Sequence, residues 1–130
     1  MEDVMIRISV LWIFAAVAMS AHYVMLFFEP DVLQKTGAGA SARLAIVEAF
    51  ANWLIPLTMA FLSVTLGNLA NRNLNMVMGG LFTLLSIIHI ARCPIVHISN
   101  KPSVHQLLIC ISTVVVTALI FWYAWNWQFS

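Results

Sequence analysis

Charge is what this chain has least of. Asp, Glu, Lys and Arg together make up 8% of its 130 residues, where a soluble domain carries about 25%. So few charges cannot make a surface that water wets. With 62% of residues hydrophobic and a mean hydropathy of +0.95, the solvent for this fold is lipid. Six basic residues against five acidic ones leave a formal net charge of +1. There is no basic patch that would attract nucleic acid. Cysteine is nearly absent: Cys93 and Cys110 allow one disulfide, and otherwise read as small, buried, apolar-like side chains. Repeats, low-complexity tracts and a second domain are also missing, so the length fits one small domain.

What is present is a series of long apolar runs. The first opens on acids, Glu2 and Asp3, with Arg7 as the single early base. It continues apolar from Ile8 to Phe28, longer than the ~7–15-residue core of a secretory signal. It is therefore expected to be a retained helix, although Ala18, Ser20 and Ala21 imitate a cleavage site. The runs predict spans over about 4–28, 43–66, 74–93 and 104–127. Glu29-Pro30-Asp31 stops the first, and Pro56 lies inside the second, where it removes one backbone hydrogen bond. A polar turn with Gly67, Asn68, Asn71, Arg72, Asn73 and Asn75 leads into the third, which Pro94 ends. Each run offers close to the ~20 residues that cross a ~30 Å hydrocarbon core. Only helices or closed barrels satisfy backbone groups in lipid, and these runs are too long for barrel strands. The expectation is an all-α, antiparallel, up-down-up-down four-helix bundle in a membrane. Trp122, Tyr123, Trp125 and Trp127 read as an anchor at the headgroup level. Ala15, Ala18, Gly79, Gly80 and Ser86 are small enough to let helices approach closely.

The face holding both termini carries Arg7 and Arg72, and the opposite face carries Lys35, Arg43, Arg92 and Lys101. The positive-inside rule then puts the termini on the non-cytoplasmic side.

Polar groups are expensive in hydrocarbon, so their positions are informative. His22 lies near the end of the first span. Glu48 and Asn52 lie one turn apart, early in the second. His89, Arg92 and Cys93 close the third, and His105 and Gln106 open the fourth. Because the helices alternate in direction, all these positions fall near the second membrane face. At 1.5 Å per residue, His22, Glu48, Asn52 and His89 lie roughly 5–12 Å inside it. Each has a plain explanation. Arg92, His97, His105 and Gln106 suit a wet interface; Glu48 can pair with Arg43 or Arg92. Asn52 can hydrogen-bond another helix, and His22 can donate to a backbone carbonyl. Their shared depth favours a common pocket. The candidate ligand-binding residues are His22, Glu48, Asn52, His89, Arg92 and His105. Stripes at spacings of three and four point inward: Glu48, Asn52, Pro56, Met59 and Ser63; Gly79, Thr83, Ser86 and His89 or Ile90; Gln106, Cys110, Thr113 and Thr117.

Several chemistries suit such a pocket. His22 and His89 can serve as axial haem ligands on facing helices, although no attachment motif is present. His22, Glu48, His89 and His105 are ligand types that suit zinc or iron, without a Glu-x-x-His or His-x-x-x-His spacing to support them. Glu48 beside a histidine can move protons on a lipophilic substrate. Transport finds no inverted repeat and no broken helix beyond Pro56. Lysine is absent from the spans, which excludes a Schiff-base lysine. The favoured expectation is a membrane protein that binds a small lipophilic ligand or ion, alone or as a homo-oligomer. The alternatives are an accessory subunit of a larger membrane complex and, third, a membrane-embedded enzyme or redox protein.

Short motifs also carry a resemblance: Met1-Glu2-Asp3-Val4, Leu11-Trp12, Glu29-Pro30-Asp31-Val32-Leu33, Ile55-Pro56, Ala70-Asn71-Arg72 and the closing Trp122-Tyr123-Ala124-Trp125-Asn126-Trp127. Over its whole length the chain resembles a family of small, uncharacterised bacterial and archaeal four-helix integral membrane proteins. The resemblance implies the four-span fold and a prokaryotic plasma membrane, and it brings no activity with it. Members of the family carry an acid near the end of the first span, where this chain has His22-Tyr23. That departure argues against a fixed haem or metal.

Overall fold

The computed structural model describes residues 2–27, 40–96 and 104–127, with side chains described for 2–25, 46–91 and 107–127. Four helices occupy nearly all of them: α1 (Glu2–Phe27), α2 (Ala40–Thr65), α3 (Asn68–Val96) and α4 (Val104–Trp125). All four are long and apolar enough to cross a membrane. Their outer faces carry large apolar side chains such as Phe14, Val17, Phe50, Phe61, Val77, Leu84, Leu108 and Trp122. In water such a surface would aggregate; in lipid it is the ordinary exterior of a bundle.

Contacts between helices fix the topology. Ser9 Oγ donates to the Ala60 carbonyl at 2.9 Å, and Asn52 Nδ2 donates to Tyr23 Oη at 3.1 Å, so α1 and α2 run antiparallel. Thr83 reaches Thr117 at 3.1 Å and Arg72 reaches Ala124, so α3 and α4 run antiparallel. Met19 meets Thr113 and His22 meets Cys110, which sets α4 antiparallel to α1. The result is an up-down-up-down bundle in which α1 packs on α2 and α4, and α4 packs on α3. The fourth edge, between α2 and α3, is nearly unpacked.

That edge is closed at one end and splayed at the other. The closure is a buried polar knot. Trp12 Nε1 donates to Asn75 Oδ1 at 2.6 Å, and the Ser63 hydroxyl lies 3.0 Å from the same oxygen and 2.7 Å from the Met59 carbonyl. Asn75 Nδ2 donates to Asn71 Oδ1 at 2.5 Å, and Asn71 Nδ2 donates to the Ser63 carbonyl at 2.6 Å. Trp12, Ser63, Asn71 and Asn75 are all fully buried. In hydrocarbon each of these groups would be costly without a partner, so they bind α1, α2 and α3 into one unit. Around the knot lies the main apolar core, with Ile8, Phe82, Val116, Ile120 and Ala124. Trp12 stacks edge-on against Phe82 at 5.5 Å.

Helix α3 starts earlier than the apolar pattern predicts. The expected span begins at 74, with Asn71 and Asn75 assigned to a turn; the helix begins at Asn68, and Asn71 N donates to the Gly67 carbonyl at 2.9 Å. The cause is the knot: asparagine amides that satisfy one another along α3, one turn apart, are tolerated inside the bundle. The helix also runs through Pro94, the expected stop, to Val96. Likewise α2 continues through Pro56, which is buried.

Close packing of α3 on α4 depends on Gly79. A methyl group there would stand 2.9 Å from the backbone nitrogen of Phe121 and 3.1 Å from Ile120 Cγ2. Near the same interface, Arg72 Nε donates to the Ala124 carbonyl at 3.2 Å and Nη2 to the Trp125 carbonyl at 3.4 Å. A cation on the last carbonyls of α4 complements the negative end of that helix.

Candidate functional site

Away from the knot, α2 and α3 diverge and leave a cleft of about 560 Å³. Met19 of α1 and Cys110 and Thr113 of α4 form its floor, and Ala51, Ile55, Leu81, Leu85 and Ile88 contribute apolar walls. Glu48, Asn52, Ser86 and His89 add polar groups. The divergence has a simple local origin. Among the described residues of α2 and α3 beyond the knot no second hydrogen bond joins the two helices, and large side chains such as Ile55, Leu81 and Leu85 stay exposed rather than interlocking.

At the polar end the structure brings together residues from all four helices. His22 is fully buried. Its Nε2 stands 3.4 Å from His89 Nε2, and its Nδ1 stands 3.9 Å from Cys110 Sγ. The two imidazole rings meet edge to face at 5.3 Å. Beyond them, Glu48 Oε1 stands 3.8 Å from His89 Nδ1. That distance is too long for a hydrogen bond, and the carboxylate faces Nδ1 only as a nearby charge. The four groups form a file, Cys110–His22–His89–Glu48, running from a buried thiol to a carboxylate that is 57% exposed. In one tautomer set each member donates to the next: the thiol to His22 Nδ1, His22 Nε2–H to His89 Nε2, and His89 Nδ1–H toward Glu48.

Asn52 stands beside this file. Its Nδ2 donates to Tyr23 Oη at 3.1 Å and to the Glu48 carbonyl at 2.9 Å, the position one turn back. It thus joins α2 to α1 at the cleft. Tyr23 stacks edge-on against His22 at 5.5 Å.

Of the six residues expected at the site, His22 and His89 meet directly, Glu48 joins them, and Asn52 lies alongside. The side chains of Arg92 and His105 lie outside the described residues, as do those of Arg43, Cys93, His97 and Gln106, so a Cys93–Cys110 bridge also falls outside them. Two members were missed. Cys110 read as a small apolar-like residue, yet its sulfur completes the cluster; its place on the stripe with Thr113 and Thr117 was the available signal. Tyr23 stood out in the sequence only as the neighbour of His22; its ring contact with His22 and its bond from Asn52 place it at the site.

One atom each from His22, His89 and Cys110 lies within 4.8 Å of the others. Two imidazole nitrogens bound to one ion at 2.0–2.1 Å stand roughly 3.4 Å apart when the angle at the ion is tetrahedral. Axial haem ligands on opposite sides of one iron stand about 4 Å apart, with a porphyrin plane between them. The observed 3.4 Å matches the bent arrangement and leaves no gap for a plane.

Fold and composition together define a small polytopic helical protein of membrane-spanning dimensions, with a titratable cluster at one end of an open cleft. No family model, curated protein or solved structure matches the chain, so the geometry carries the functional reading.

Proposed function

We propose that this chain is a polytopic membrane protein that takes a small ligand or ion into the cleft between α2 and α3. The observation that carries this reading is the cleft itself, about 560 Å³ with apolar walls and polar groups gathered at one end. Small-molecule sites are concave, roughly 300–1,000 Å³, and mostly apolar with a few convergent polar groups. Because the open edge faces sideways, between two helices whose outer faces are apolar, a lipophilic molecule enters from the bilayer plane. Its polar part then meets His89, Glu48 and Asn52. The resemblance and the Lys/Arg distribution support a prokaryotic plasma membrane, with the termini on the non-cytoplasmic side.

Native mass spectrometry of the intact protein, released from detergent, tests the reading. One bound small species is expected on the wild type and should be lost in Ala51→Trp, which fills the cleft from α2. Bare protein in both cases, with helicity intact, would contradict it. The splayed edge also favours a second reading, in which a helix of a partner subunit or second copy fills the opening. A stoichiometric partner that co-purifies, and that Ala51→Trp displaces, would support that reading instead.

A further inference from the structure

We infer that His22, His89 and Cys110 form a binding site for a soft monovalent transition-metal ion, copper(I), held by two imidazole nitrogens and one thiolate. The inference rests on the cleft reading for access to the site and names the ion that the same polar end would take.

Three observations lead to it. The first is geometry. His22 Nε2 and His89 Nε2 are 3.4 Å apart, the separation two nitrogens have when they share one ion in a bent arrangement. Cys110 Sγ and one nitrogen of each histidine lie within 4.8 Å of one another, and the sulfur stands 3.9 Å from His22 Nδ1, so small side-chain rotations gather the three donors on one ion. The donors come from α1, α3 and α4, which pack on one another in sequence around the bundle. The ion would therefore tie α1, α3 and α4 together at the polar end and leave the α2–α3 edge open.

The second observation is donor softness. A thiolate and imidazoles suit copper and zinc, whereas carboxylate and carbonyl oxygens suit magnesium and calcium. Another sulfur is close by. Met19, one helical turn before His22, lines the cleft with Cys110, and its sulfur lies 3.8 Å from the Thr113 hydroxyl. A thioether near the site adds to the preference for copper(I).

The third is charge. His22 and Cys110 are buried among apolar helices, where net charge is costly. Copper(I) with one thiolate and two neutral imidazoles is neutral as a whole. Zinc(II) with the same donors keeps one positive charge and, in a structural site, calls for a fourth ligand. Glu48, the nearest acid in the file, does not supply it: its oxygen stands at His89 Nδ1, the ring nitrogen that the cluster does not use. From 3.8 Å its charge faces Nδ1 and leaves Nε2 as the nitrogen turned toward His22 and the ion. On loading, the Cys110 thiol loses one proton to solvent and its sulfur takes the copper. One proton is released per ion, and no oxidation state changes.

The test uses the full chain in detergent under a reductant, titrated with copper(I) against a chromophoric copper(I) chelator. It is run in a Cys93→Ser background, so that Cys110 is the single thiol. One equivalent should bind, and X-ray absorption at the copper edge should show nitrogen and sulfur neighbours together. Cys110→Ser and His89→Ala should each abolish stoichiometric binding. Glu48→Gln, which removes the charge facing His89 Nδ1, should weaken it without abolishing it. Because His22 is fully buried, His22→Gln is read only alongside circular dichroism, and the wild-type absorption spectrum needs no variant. The inference is overturned if no copper(I) binds, if the copper has no sulfur neighbour, or if zinc(II) takes the site in preference. Should the protein refuse copper(I) yet still carry a small molecule that Ala51→Trp removes, this inference fails and the cleft reading stands.

Discussion

His22 Nε2 and His89 Nε2 stand 3.4 Å apart although 67 residues separate them in the chain. One ring is fully buried on α1; the other is partly exposed on α3, at the wall of the cleft. The pair therefore connects the interior of the bundle with the one edge that is not packed. At the opposite end the same two helices are joined by Trp12 and Asn75. The protein thus has a polar contact between α1 and α3 at each end. One is fully satisfied by amides and closed; the other is made of titratable groups and open.

The closed end should be rigid and intolerant of change. Asn75→Ala would leave the Trp12 indole N–H and Asn71 Oδ1 without the partners they now have. It is expected to destabilise the protein by about 2 kcal/mol, since buried groups left unsatisfied cost roughly 1–3 kcal/mol and intramembrane hydrogen bonds about 1. Asn73, two residues earlier, is exposed; Asn73→Ala should change stability by less than about 0.5 kcal/mol. Thermal or denaturant unfolding of both variants in the same detergent separates the two asparagines.

The α3–α4 contact should be just as particular about its two neighbouring glycines. At Gly79 a methyl meets the backbone of Phe121, which cannot turn aside, so Gly79→Ala must part the helices at a cost of about 1–3 kcal/mol. At Gly80 the nearest atoms are carbons of the Phe121 ring at 3.4 and 3.7 Å, an ordinary contact. Gly80→Ala is expected to be neutral or to gain up to about 1 kcal/mol from helix propensity. Equal losses at both positions in an unfolding measurement would show that the helices do not meet as described.

The C-terminal turn of α4 should depend on Arg72. Replacing it with Met keeps the stem and removes the donors to Ala124 and Trp125. A loss of about 1 kcal/mol is expected, with faster hydrogen exchange confined to the last turn of α4. Arg72→Lys should recover only part of it, since an ammonium lacks the planar fork that reaches two carbonyls.

Much of this architecture was legible in the chain. Four apolar runs of the right length demand four helices, and short connections make neighbours antiparallel. A rise of 1.5 Å per residue puts His22, Glu48 and His89 at one depth. Which faces meet was harder to read. Small and polar stripes showed the inward side of three helices, and Met59, Ser63, Cys110, Thr113 and Thr117 are buried as they predict; the apolar residues did not, because lipid accepts Val17 or Leu84 as readily as the core accepts Ile8 or Ile120. For the same reason the splayed α2–α3 edge has no sequence signature. Asn71 and Asn75 read as turn residues because asparagine favours turns; only their mutual hydrogen bonds make them helical and buried. Cys110 was obscured by its own chemistry: the side chain that packs as a small hydrophobe is also a metal ligand, and its neighbours decide which.

The most direct test of the account is the distance between the two histidines in a lipid bilayer. Solid-state NMR with both imidazoles labelled can measure the separation of His22 Nε2 and His89 Nε2 through their dipolar coupling. A separation of about 3.4 Å is expected, with the two rings held at one fixed distance. A separation beyond roughly 6 Å, outside the reach of one hydrogen bond or one shared ion, would contradict it.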